Sequence, residues 1–256
     1  LYAAHDVNNT ASIHSSGQVY LVASNDINNK ASITSGKDLI LWSMKGNIEN
    51  KGTIQAVEKI DMDATWGNVY NFAGITSTND AVDILAGNSI INLGDNANDA
   101  ITAKGAVKLD AGVALINTAK IVSTEDNVTI QADSGVMNLV FTDYKGEGRT
   151  NQNGSIEAKG NVVIETTNKE APDTSAKVYN SADIKAEGNV DIDAYGSLYN
   201  SGNITAVKEV HLDSWKSDLH NTGDIVSEQG NVRLYANQNL YNGTEEDKDG
   251  NVTAKN

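Results

Sequence analysis

Leu198–Ser214 reads LYNSGNITAVKEVHLDS, and Leu219–Ala236 reads LHNTGDIVSEQGNVRLYA. The two stretches share one pattern. An aliphatic residue, a variable residue and Asn lead into a turn. Ile, a variable residue and Ala or Ser lead into a second turn. Val-x-Leu-x-(Ala/Ser) closes the unit. A fixed period of this kind decides the architecture before any single element does, because each unit must pack on its neighbours.

Outward from these two stretches the same Asn recurs at Asn9, Asn29, Asn50, Asn71, Asn92, Asn117, Asn138, Asn180, Asn200, Asn221 and Asn242. The steps are 20 or 21 residues, except for 25 after Asn92 and 42 after Asn138. The residue two positions earlier is always Val, Ile or Leu. The second element begins with Ile each time, from Ile13 and Ile33 to Ile204 and Ile225. The third pairs two aliphatics at i and i+2, as in Val19/Leu21 and Val232/Leu234. Apolar and polar residues alternate within each element, which is the period of a strand with one buried face. Gly, Asn, Asp and Ser bound the elements and suit tight turns. No stretch holds a 3.6-residue apolar period beyond one turn, so no helix is expected.

A unit of about 21 residues cannot bury its own apolar face, but stacked units can. The expected fold is all-β: a right-handed parallel β-helix, a solenoid of ten to eleven coils with three short strands per coil. The hand follows the rule for parallel crossovers. Coils about 4.8 Å apart give a rod about 50 Å long. Ile should stack on Ile, and Ala or Ser should fill the corners. The Asn falls on the inward parity of its strand, so the eleven carboxamides should form a ladder from coil to coil. Eleven copies suit a structural role, since an enzyme needs one site.

The whole chain, residues 1–256, reads as one β-helical domain. Departures from the period place loop insertions at 93–100, 139–155, 167–177 and 244–250. The third holds Pro172, the only proline. The 42-residue step is therefore one coil with two insertions. Insertions in solenoids map to loops, often on the binding face. Leu1-Tyr-Ala3 matches Leu21-Val-Ala23, and Val252-Thr-Ala254 opens a coil that does not close. The chain is expected to be a segment of a longer array.

Against 19 Lys and Arg stand 34 Asp and Glu, a net charge of −15. That disfavours nucleic acid and anionic membranes, which select basic surfaces. There is no Cys, hence no disulfide framework or thiolate metal site. No segment approaches the ~20 apolar residues of a membrane span, so no membrane insertion is expected. No signal peptide is recognisable.

The unit seen cleanly at Leu198–Ser214 resembles the haemagglutinin repeats of the filamentous haemagglutinin family, the large exoproteins of Gram-negative two-partner secretion. The resemblance extends over essentially the whole chain apart from the insertions. It implies a β-helical shaft, secreted or displayed on the cell surface and associated with the outer membrane. It also implies an adhesive role toward a host or bacterial cell-surface glycan or protein, and an outer-membrane secretion partner for the full-length protein. The stalk of a contact-dependent inhibition toxin is the alternative within the family. The family's N-terminal secretion domain and a C-terminal toxin module have no counterpart in these residues.

Parallel β-helices also serve as polysaccharide lyases and hydrolases, which need carboxylates converging on one groove, with Arg, Lys or Ca²⁺. The nearest candidate is Arg149, beside Asp143, Lys145 and Glu147 in the long loop; charged loops are more often simply solvated. Asp61, Asp63, Asp191, Asp193 and Asp213 occupy outward strand positions and read as a solvated acidic face. His211 and His220 lack a third ligand. No catalytic residue, metal or cofactor is expected. The outward position between the aliphatic residue and Asn reads Tyr179, Tyr199, His220 and Tyr241 on four successive coils. Such a row either stabilises the sheet or receives a ligand. With Tyr144 and Arg149 from the adjacent loop, it is the candidate ligand-binding face.

Overall fold

The computed structural model describes residues 1–94, 99–141, 152–170, 175–243 and 250–255. Among them there is no helix. The strands form three parallel sheets of eleven strands each, and successive strands of any one sheet come from successive coils. The asparagine sheet runs from Val7–Asn9 to Leu240–Asn242, and the isoleucine sheet from Ile13–Ser15 to Val252–Ala254. The long-strand sheet runs from Tyr2–Ala3 through Val19–Ala23 to Val232–Ala236. The chain is thus a β-solenoid of about ten turns.

Register follows the repeat. Asn71 pairs with Asn92, Ile204 with Ile225, and Val210 with Val232. It survives the 42-residue step, where Asn138 pairs with Asn180, Ile121 with Ile156 and Ile130 with Ile164. One-residue slips would turn every apolar side chain outward, so the buried face fixes this alignment. The Ile and Leu columns fill the interior. Ile33, Leu41, Ile75, Leu109, Ile156 and Leu212 have no solvent exposure. Each such side chain contributes about 1.5–3 kcal/mol relative to an exposed one.

The choice of Ala or Ser at the corners has a local cause. The Ser35, Ser77 and Ser123 hydroxyls donate to turn carbonyls of the preceding coil, at Gly17 (2.8 Å), Glu58 (2.6 Å) and Gly105 (2.8 Å). Ala fills the same site without bonding, as at Ala56 and Ala103. Asn and Asp stack at the turns too. The Asp26 Oδ1 accepts from the Asn47 amide at 2.7 Å, and the Asn47 Oδ1 from the Asn68 amide at 2.8 Å. Where turns lie directly over one another there is no room for a side chain. A Cβ at Gly202 would stand 2.1 Å from the Ala182 carbonyl oxygen, and one at Gly223 2.0 Å from that of Gly202.

Both insertions of the seventh coil are anchored at their bases. Val140–Phe141 pairs antiparallel with Gln152–Asn153. Leu139, expected in the loop, instead continues the ladder: its amide donates to the Asn117 carbonyl at 2.8 Å. Lys177, expected as the end of the second insertion, belongs to the strand Lys177–Asn180. Thr167 and Asn168 likewise still donate to Ala132 and Asp133 of the preceding coil. Ladder bonds reach one or two residues beyond the repeat, which sequence spacing alone cannot register. Ala176, buried at the return, is held at φ 57° with its carbonyl accepting from the Thr166 hydroxyl at 3.0 Å. In the 93–100 and 244–250 stretches, residues 95–98 and 244–249 lie outside the described residues.

Candidate functional site

The asparagine sheet presents two columns, one inward and one outward. Inward, each carboxamide Nδ2 donates to the Oδ1 of the Asn one coil on, from Asn9 through Asn29, Asn50, Asn71, Asn92, Asn117, Asn138, Asn180, Asn200 and Asn221 to Asn242. The distances are all 2.7–2.8 Å. The same nitrogen has a second hydrogen. At Asn180, Asn200 and Asn221 it goes to the carbonyl two residues further on, at Ala182, Gly202 and Gly223, each at 2.9 Å. Most of these Asn are fully buried, and no buried side-chain nitrogen or oxygen among the described residues lacks a partner.

Outward, Tyr179, Tyr199, His220 and Tyr241 stand on successive coils and stack face to face. Centroid separations are 4.7, 4.8 and 4.5 Å, with interplanar angles of 5°, 9° and 15°. The separations match the spacing of parallel strands. The ring faces inside the stack are therefore covered by neighbouring rings. What points away from the rod is a row of ring edges and polar tips. The faces a sugar ring would stack on are closed at Tyr199 and His220. Beside the row runs a shallow cavity of about 210 Å³ lined by Leu139, Ser181, Ser201 and Thr222 together with the rings. Tyr144 and Arg149, with Asp143, Lys145 and Glu147, lie outside the described residues.

The same outward position in earlier coils carries Tyr70, Ile91, Ile116 and Met137, all partly exposed. With the four aromatic residues they make one column over eight coils. The signal was present in the spacing: each lies one residue before a ladder Asn. An outward Ile reads as a core residue, however, unless its parity is followed.

The acidic face of the long-strand sheet differs from expectation at Asp213. Its position faces outward, yet it is only 3 % exposed. Arg233 from the next coil lies over it with two hydrogen bonds, one Nε–Oδ1 at 3.1 Å and one from Nη2 to Oδ2. Strand parity sets direction, whereas cover depends on the side chain one coil on. Asp193, in the same column, has its pKa raised by burial, against a lowering hydrogen bond from Trp215 and with further raising by Asp213, Asp191 and Glu165. Burial likewise raises Asp63. His211 contacts Asp191 at 2.9 Å, while His220 lies on another sheet. Among the described residues no group of three or more His, Asp or Glu is arranged to hold a metal ion.

A family model described as haemagglutinin repeat matches residues 2–55, 123–202 and 170–256. No curated protein and no solved structure matches the chain. The matched stretches contain the cleanest copies of the φ-x-Asn unit, and those copies set the coils on either side of the insertions. By its sequence and by the architecture that the sequence dictates, the chain belongs to the haemagglutinin-repeat family.

Proposed function

We propose that these coils form a shaft segment of a secreted or surface-displayed bacterial adhesin of the filamentous haemagglutinin type, contributing to host-cell or cell–cell adhesion. The observation that carries this reading is the register of the three sheets, unbroken across the inserted coil. A rod of equivalent coils sets distance and displays residues at fixed intervals. Its inward columns set like residue over like, which suits a spacer. In this reading the full-length protein reaches the surface through an outer-membrane secretion partner.

The contact face in this reading is the asparagine sheet at coils seven to nine. The hairpin base at Val140–Phe141 stands at one edge, and the second insertion's base at Thr167–Asn168 joins at the other. The aromatic edges and the Ser181 and Ser201 side chains line the floor between them. The partner is a cell-surface glycan bound through its hydroxyl groups, or a surface protein. The test is adhesion of beads coated with the purified segment to cultured epithelial and bacterial cells, with Tyr179, Tyr199 and Tyr241 changed together to Ser. A variant that keeps its β-sheet circular dichroism should lose most of the adhesion. Undiminished adhesion would move the contact elsewhere, and inert wild-type beads would leave these coils as a spacer.

A further inference from the structure

Beside the aromatic ladder runs a second column, the residues that directly follow each ladder Asn. They are in register from coil to coil. The Leu93 amide donates to the Asn71 carbonyl, Leu139 to Asn117, Ser181 to Asn138, Ser201 to Asn180 and Thr222 to Asn200. In the middle coils this column holds Phe72, Leu93, Thr118 and Leu139. In the later coils it holds Ser181, Ser201, Thr222 and Gly243. The residues become small where the neighbouring column becomes aromatic. Large rings in one column and small side chains in the next leave a trough between them, the cavity of about 210 Å³ beside the ladder. Leu139, the last large residue of the column, lines its end toward the hairpin.

Three properties of the trough select its occupant. The first is shape. It follows the rod past Tyr179, Tyr199 and His220, about 14 Å at 4.8 Å per coil. These rings are nearly parallel, at 5° and 9°, so their edges form one continuous wall. The second is the charge distribution of that wall. Aromatic edges are electropositive and aromatic faces electronegative, so a wall of edges favours the face of another aromatic system. The third is polarity. The floor amides of Ser201 and Thr222 are already bonded to the Asn180 and Asn200 carbonyls. A peptide backbone, or a sugar polar around its whole edge, would bury groups there without enough partners. The small side chains offer only a few hydroxyls, one coil apart, at Ser181, Ser201 and Thr222. No Asp, Glu, Lys or Arg is among the described residues that line the trough. The net charge of −15 disfavours an anion.

We propose that this trough binds a flat, elongated, uncharged conjugated aromatic molecule of the stilbene or flavone class. It lies along the rod with one face against the ring edges, and its few phenolic hydroxyls are served by those of Ser201 and Thr222. A mostly apolar cleft with a few placed polar groups is the usual make-up of a small-molecule site. The inference concerns a small ligand and does not rest on the adhesive role proposed above for the same face.

The test uses the full chain with trans- and cis-resveratrol, two isomers of identical composition of which only the trans form is flat. Equilibrium dialysis should show the trans isomer bound at least tenfold more tightly. Ser201→Leu puts into the trough the side chain that Leu93 and Leu139 carry in the same column, and should weaken trans binding at least tenfold. Tyr199→Ser removes the middle of the opposite wall and should weaken it at least fivefold. Thr205→Leu adds the same side chain as Ser201→Leu on the isoleucine sheet and should change it less than twofold. Variants on both walls keep the proposal open to failure should one of them lose its β-sheet circular dichroism. Equal binding of the two isomers, or equal weakening by Thr205→Leu and Ser201→Leu, would reduce the effect to general apolar adsorption and overturn the proposal. Trans binding that survives the changes in either wall would also overturn it, as would no binding by the wild-type chain up to the solubility limit of the trans isomer.

Discussion

The inward Asn and the outward residue beside it repeat at the same interval on the same strands, yet the repetition acts on them differently. Inside, each carboxamide bonds to the next carboxamide and to backbone groups of the turns. An amide carries both donor and acceptor, so an identical column satisfies itself. Any other residue leaves a buried group unpaired, which is why the Asn never varies. Outside, water satisfies whatever stands there. The column is free to drift from Asn8 and Asn28 through Glu49 to Ile, Met and finally Tyr. Identical stacking constrains chemistry only where water is excluded.

The sharpest way to break this comparison is to remove one rung. In Asn117→Ala the Asn92 amide, the Asn138 oxygen and the Gly154 carbonyl each lose a partner. At about 1–3 kcal/mol for a buried unpaired group, a loss near 3 kcal/mol in urea denaturation is expected. Lys120→Ala, which breaks an exposed pair with Glu157 at 2.8 Å, should cost within about 0.5 kcal/mol. Similar losses at the two sites would contradict the distinction.

The outward ladder should show a smaller and graded response. Tyr199→Ser removes two ring contacts and Tyr241→Ser removes one. Stacked pairs contribute about 0.5–1.5 kcal/mol each, so the first loss should be about twice the second. Equal losses would mean that ring stacking is not what the column contributes.

Charge on the neighbouring sheet gives a smaller effect with a defined sign. Burial raises the Asp193 pKa above its ordinary value in the folded chain. The folded state therefore binds this proton more readily than the unfolded state. Above the raised value, ionised Asp193 costs stability. That cost fades as pH falls through the raised value and is gone below the ordinary value of about 3.9. Asp193→Asn should be more stable than wild type at pH 7 by a few tenths of a kcal/mol, on the order expected for a partly screened group. The difference should vanish near pH 4 in thermal melts. A gap that widens on acidification would reverse the sign.

The least effect is expected from shortening the hairpin. Replacing residues 142–151 by Asn-Gly joins Phe141 to Gln152 through a turn suited to two-residue hairpins. Stability should stay within about 0.5 kcal/mol of wild type. Loss of cooperative unfolding would show that the core depends on the removed residues.

The inward half of this structure was legible because each position is written ten or eleven times. Ile33 and Ile225 could be placed from the same rule. The outward half was legible only in direction. Tyr179 to Tyr241 stood out as aromatic residues, but that their faces close on one another follows from the spacing of the coils. Ile91 and Ile116 do not stand out in the same way, because outward aliphatics resemble core residues. The burial of Asp213 depends on Arg233, twenty residues away, and no local pattern encodes that contact. Leu139 and Lys177 lie at loop boundaries in the sequence yet take part in the sheet for a similar reason: ladder bonds run past the last repeated side chain.

The carboxamide column has one more consequence, an electrical one. Backbone bonds between coils alternate in sense: the Val7 amide donates forward to Asp26, while the Lys30 amide donates back to Asn9. Their dipoles oppose each other along the rod. In the carboxamide column every Nδ2 donates toward the later coil, from Asn9 to Asn242. These side-chain dipoles add, and each bond polarises the next in the low dielectric of the interior. These coils thereby carry a polar axis that their sheets alone do not supply, with carboxamide oxygens directed toward Asn9 and amide hydrogens toward Asn242. Two such rods laid side by side would meet head to tail at lower electrostatic energy than head to head.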